Sequence, residues 1–180
     1  YCLPIIHLAT FSNLELVQVE DTATTAGTVR LAWTDYTTDY LSNAVGWANG
    51  PGNTYYSGDI WLQSDNHDET DIDFQDTLFH ELGHALGIKH SFEAFGDYPA
   101  LDSQYEGIDY TVMSYSVSAR FPDATWTDLW PQTYMYFDIM ALQHLYGVNT
   151  VTTAGADTYD YDQDGRYLQT VWDYGGTDSL

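Results

Sequence analysis

Apolar and polar residues alternate through the first third of the chain, and the period changes near residue 71. Residues 14–20 alternate with Leu14, Leu16, Val17 and Val19 as the apolar members, and residues 28–34 repeat the pattern with Val29, Leu31 and Trp33. A period of two predicts strands. A short third strand is expected at Val45-Gly46-Trp47-Ala48, closed by the turn-forming run Asn49-Gly50-Pro51-Gly52-Asn53. Residues 58–63 form a fourth, with Ile60 and Leu62 on one face. From Asp71 onward, Phe74, Leu78, Leu82 and Leu86 recur every four residues, the stripe of an amphipathic helix. Asp71, Asp73 and Asp76 lie near its start, where acid complements the helix dipole and can cap free N–H groups. Gly87 marks its end. A second helix is predicted over 135–146, with Ile139, Leu142, Leu145 and Tyr146 as its buried side and Gly147 as its stop. The stretch between the helices is irregular, and the chain after Gly147 reads as turns and short strands.

Composition narrows the picture. The 180 residues suffice for one domain with a core and are short for two. With 16 Tyr, 7 Phe and 6 Trp the chain is too rich in rings for a disordered acidic polymer. Four Lys plus Arg stand against 27 Asp plus Glu, a formal net charge of −23, which repels phosphates and disfavours nucleic acid as a partner. No apolar run is long enough to span a bilayer. Cys2 is the single cysteine, so neither an internal disulfide nor a cysteine zinc site can form. The first residue is Tyr rather than Met, as expected of a processed or partial chain.

The chemistry concentrates in His80-Glu81-Leu82-Gly83-His84-Ala85-Leu86-Gly87-Ile88-Lys89-His90. Two histidines four apart project from one helix face and can reach one ion. Glu81 follows the first of them, beside a metal rather than on it. Gly87 breaks the helix, so the chain can return and bring His90 to the same ion. Three imidazoles and an open fourth position describe a catalytic zinc site, not a structural one closed by four protein ligands. Zinc would polarise a carbonyl and its water, and Glu81 would take the proton. His7, His67 and His144 stand alone and are expected at the surface or in packing roles. Near the C-terminus, Asp173, the carbonyls about Gly175 and Gly176, and Asp178 offer hard oxygen ligands around a turn, as calcium requires. Asp160-Tyr161-Asp162-Gln163-Asp164-Gly165 imitates the start of an EF-hand loop but has Val171 at position twelve.

The histidine motif resembles that of the metzincin zinc endopeptidases. Thr111-Val112-Met113-Ser114-Tyr115 is similar to the clan's methionine turn, which implies Met113 as the floor of the metal site and Tyr115 as a hydrogen-bond donor to the oxyanion. Within the clan, the Met-Ser-Tyr turn, the segment Asp138-Ile139-Met140-Ala141-Leu142-Gln143-His144-Leu145-Tyr146-Gly147-Val148-Asn149 and the run Trp172-Asp173-Tyr174-Gly175-Gly176-Thr177-Asp178 resemble the serralysins. That resemblance implies Asp157 as a further calcium ligand and residues 58–63 as the edge strand along which substrate lies. It departs in two places: Ser91 follows the third histidine where serralysins usually have Pro, as in the matrixins, and the clan's N-terminal helix is expected to be missing. The implied fold is α+β: a metzincin-like zincin domain, its twisted, mixed, mostly parallel sheet joined to an active-site helix and a C-terminal helix. Residues 1–149 would form the catalytic domain and 150–180 the start of a calcium-binding region. The implied function is a secreted zinc endopeptidase acting on protein or peptide substrates. A matrixin-like protease and a calcium-dependent binding module with a vestigial zinc site are the alternatives. The sequence does not fix the oligomeric state.

Overall fold

The structure, a computed structural model, describes residues 2–35, 44–64, 72–117, 120, 129–161 and 168–180. Helix α1 (Cys2–Phe11) opens the chain, followed by strands β1 (Arg30–Thr34), β2 (Gly46–Ala48) and β3 (Asp59–Gln63), then helices α2 (Ile72–Ala85) and α3 (Tyr136–Tyr146). The sheet order is β1-β3-β2, with β1 parallel and β2 antiparallel to β3. The sheet is therefore mixed, but among the described residues it holds one pairing of each sense rather than a parallel majority.

Three expectations are corrected. A ten-residue helix, α1, stands at the N-terminal end where none was predicted, and it buries Pro4, Leu8 and Phe11 along one face. Pro4 is tolerated because the N–H groups of a first helical turn have no partner inside the helix. Residues 14–20 form no strand. Leu14 and Leu16 rest partly buried against the core, yet Val17 and Val19 face outward and no neighbouring ladder takes up the backbone among the described residues. Residues 58–63 are not an edge: β3 is the central strand, and β2 forms the edge beside α2.

The core gathers Ile60 and Leu62 from β3, Phe74, Leu78, Phe79 and Leu82 from α2, Leu8 and Phe11 from α1, and Ile139 and Leu142 from α3. The expected helix stripes are thus buried, except that Leu145 is exposed and Tyr146 only partly buried, whereas Leu31 and Trp33, the predicted apolar members of β1, are exposed. His7 has a packing role: its ring stacks on Tyr134, and its Nδ1 accepts the Tyr134 N–H at 3.2 Å. His144 is exposed. Leu168 joins the same core, and Gln132 N–H donates to its carbonyl, so the C-terminal segment packs on the body. His67, Asp71 and residues 162–165 of the EF-hand-like turn lie outside the described residues.

Candidate metal centre

Helix α2 carries the first two imidazoles. Its end is built by Gly87, whose φ of +103° is open to glycine and strained for other residues. Gly87 N–H donates to the His84 carbonyl and Ile88 N–H to the Gly83 carbonyl, each at 2.9 Å, the paired bonds of a Schellman ending. This reversal brings His90 back over the helix. His90 Nε2 lies 3.3 Å from His80 Nε2 and 3.1 Å from His84 Nε2.

The protons on these rings can be assigned from their other partners. His80 Nδ1 is 2.7 Å from the Val112 carbonyl and His84 Nδ1 is 2.8 Å from the Ile88 carbonyl, so each Nδ1 must be the donor. His90 Nδ1 faces a Glu93 carboxylate oxygen at 3.1 Å and donates likewise. All three Nε2 atoms therefore direct lone pairs into one cluster; the Tyr115 hydroxyl, 2.8 Å from His90 Nε2, can donate to one of them, and a cation among them would satisfy all three. Tetrahedral zinc with bonds of about 2.0–2.1 Å separates its nitrogens by roughly 3.3–3.4 Å, so the donor set fits the ion. Burial lowers the pKa of His80 to about 3 and also lowers that of His84, which keeps both rings in the neutral form a metal needs.

Glu81 is buried, and its Oε2 has no hydrogen-bond partner among the described residues. Burial raises its pKa to about 8. Edge strand β2 lies against it: a methyl group on Gly46 would come 3.1 Å from Glu81 Cγ. Tyr115 stacks over His80 and brings its Oη to 2.8 Å from His90 Nε2 and 3.5 Å from His80 Nε2. Its phenol stands beside the corner left open by the imidazoles, and burial followed by the charges of Glu81 and Glu93 raises its pKa. Met113 is fully buried under the helix, against Gly83.

The turn that carries Met113 is held from two sides. Asp138, at the start of α3, accepts hydrogen bonds from Thr111 Oγ1, Val112 N–H and Met135 N–H at 2.5, 2.8 and 2.8 Å. Glu106 accepts from Ser114 Oγ at 2.5 Å and from Ser91 Oγ at 3.3 Å. Sequence reasoning missed Asp138 and Glu106, which act through tertiary and loop geometry, and also Glu93, whose place three residues after His90 was the one local signal available.

Asp157, Asp173 and Asp178 also converge, offering carboxylate oxygens all within 4.8 Å of one another. Asp157 Oδ2 is buried without a partner among the described residues. Asp157 N–H donates to Asp178 Oδ1, and Gly175 N–H to Asp173 Oδ1. A side chain at Gly176 would collide with the Gly155 carbonyl, so only glycine lets these two turns meet. An unpartnered oxygen within an all-carboxylate set suits a hard cation.

A helix-borne histidine pair, a third imidazole after a glycine turn and a methionine turn beneath them define a metallopeptidase centre of the metzincin type. The chain belongs to the reprolysin-like metallopeptidases of family M12B, whose family model matches residues 11–146. It is similar to serralysin of Proteus mirabilis, 36% identical over 129 residues, or 58% of this chain and 24% of that protein. It is 32% identical to serralysin G of Dickeya chrysanthemi over 168 residues, or 81% of this chain and 34% of the relative. Metallopeptidase AprA of Pseudomonas marginalis is 31% identical over 129 residues, 58% of this chain and 26% of its own length. The chain thus spans about a quarter to a third of the length of these relatives. Among the described residues no helix is long and apolar enough to cross a membrane.

Proposed function

We propose that this chain carries the catalytic centre of a secreted zinc endopeptidase that hydrolyses internal peptide bonds of proteins. The observation that carries the reading is the meeting of three Nε2 atoms, two from α2 and one from the turn after it, beside a buried carboxylate of α2 with an oxygen unpartnered among the described residues. His80, His84 and His90 would hold zinc, which when bound polarises the scissile carbonyl and lowers the pKa of water.

The remaining work falls to side chains. Glu81 takes the proton from the attacking water and passes it to the leaving amine. Its buried setting favours the protonated form once the proton arrives, which suits a group that must then act as an acid. Tyr115 donates from Oη to the carbonyl oxygen as negative charge develops there. Met113 supports the site from below. An extended peptide would lie along the edge of β2 that is unpaired among the described residues, where Gly46 adjoins Glu81. Asp157, Asp173 and Asp178, with the carbonyls of Gly175 and Gly176, would hold calcium at the start of a C-terminal calcium-binding region.

The test is proteolysis of a casein-type substrate by wild type and Glu81→Gln, each with its zinc content measured. Both should hold one zinc, and the variant should lose about 100-fold to 10,000-fold in rate, the range of a general acid–base group. If both hold zinc and neither cleaves, the endopeptidase reading is lost and a binding module is favoured.

A further inference from the structure

The three imidazoles do not share the same outer support. His80 and His84 each donate from Nδ1 to a neutral main-chain carbonyl. His90 alone faces a charged acceptor, the Glu93 carboxylate at 3.1 Å. It is also the ligand with the weakest scaffold, since it follows the helix break and belongs to no regular element.

We infer that Glu93 is a positioning residue for His90, fixing its tautomer and ring direction and strengthening its hold on the zinc. The turn around it is built to keep that carboxylate in place. Glu93 N–H donates to the His90 carbonyl at 3.3 Å, and the Lys89 ammonium bonds the carbonyls of both His90 and Glu93. Phe92 lies parallel to the His90 ring, centroids 4.9 Å apart, and limits its rotation from the other side. A carboxylate accepting the proton of a ligating imidazole raises the basicity of the ring and fixes which nitrogen meets the metal. The Glu93 carboxylate is half exposed, with a side-chain accessibility of 53%, so a substitution there need not disturb the core.

The inference rests on the zinc reading above, and zinc affinity separates the two. Metal-free wild type, Glu93→Ala and Glu93→Gln would be titrated with zinc against a chromogenic chelator, with thermal unfolding of each metal-free protein as the control for folding. Glu93→Ala should bind zinc about 10-fold to 100-fold more weakly. Glu93→Gln, which keeps an acceptor oxygen but not the charge, should recover part of that loss. All three metal-free proteins should unfold together. An alanine variant within threefold of wild type, or a glutamine variant no better than alanine, overturns the role of Glu93 and leaves the zinc reading intact. If wild type itself binds no zinc, both fall.

Discussion

A methyl group at position 83 would sit 2.8 Å from the sulfur of Met113, closer than packed atoms come. Glycine between the two helix histidines therefore sets how closely the methionine turn approaches the metal ligands. Gly83→Ala should force that turn away and cost about 1–3 kcal/mol in thermal unfolding, the usual price of overpacking. An unchanged melting temperature would show that Met113 moves aside freely. Asp138 is the second residue whose chemistry is explicit. Burial raises its pKa to about 6, above the ordinary 3.8, despite three donors that favour the carboxylate. The folded state then binds more protons than the unfolded one between about pH 4 and 6, so this group's contribution to stability falls as pH rises through that window. Relative to Asp138→Asn, wild type should lose on the order of 2–3 kcal/mol between pH 4 and 7, measured by denaturant unfolding of the metal-free proteins. A parallel pH dependence in the two would contradict it. Gly83 lies inside the histidine motif, but Asp138 does not stand out in the sequence as a member of the site: it lies far from that motif, and its partners are known only once the turn and α3 meet.

At the scale of elements, legibility followed periodicity. The four-residue stripe of α2 and the glycine after it were sufficient to place the helix, its end and the return of His90, because helix geometry and the Schellman turn are local. Helix α1 escaped because Cys2–Phe11 is apolar nearly all round, and the face containing Pro4, Leu8 and Phe11 is indistinct beside Ile5 and Ile6, which are exposed. Residues 14–20 misled in the opposite way: an alternating pattern states which side chains face inward but not whether a partner strand exists. The edge position of β2 was equally hidden, since strand order is a property of the assembled sheet. The turn at Gly87 carries the prediction at this level. Gly87→Ala places a side chain at φ +103° and should destabilise the fold by about 1–2 kcal/mol. By displacing His90 it should also weaken zinc binding, whereas a loss of stability with unchanged zinc affinity would show that the third ligand does not depend on this turn.

Across the whole molecule, an excess of 23 negative charges makes hard cations natural partners. Asp157 and the 173–178 turn meet only because Gly176 admits the Gly155 carbonyl, which ties two segments of the C-terminal region together. Calcium bound there should raise the melting temperature, by about 2.7 kcal/mol of stability at one hundred times its dissociation constant. The shift should vanish in Asp173→Asn. An equal shift in the variant would place the ion elsewhere. Asp173 and Asp178 were legible as candidate cation ligands from residue types around a turn, whereas Asp157 was reached only through the resemblance, because its approach to them is a tertiary contact.

The proposed peptidase chemistry depends on three imidazole nitrogens meeting one zinc. X-ray absorption at the zinc edge of the metal-loaded protein, repeated on His90→Ala, measures that directly. One zinc per chain is expected, with three histidine nitrogens at about 2.0–2.1 Å in wild type and two in the variant. An identical histidine shell in the two proteins would contradict it.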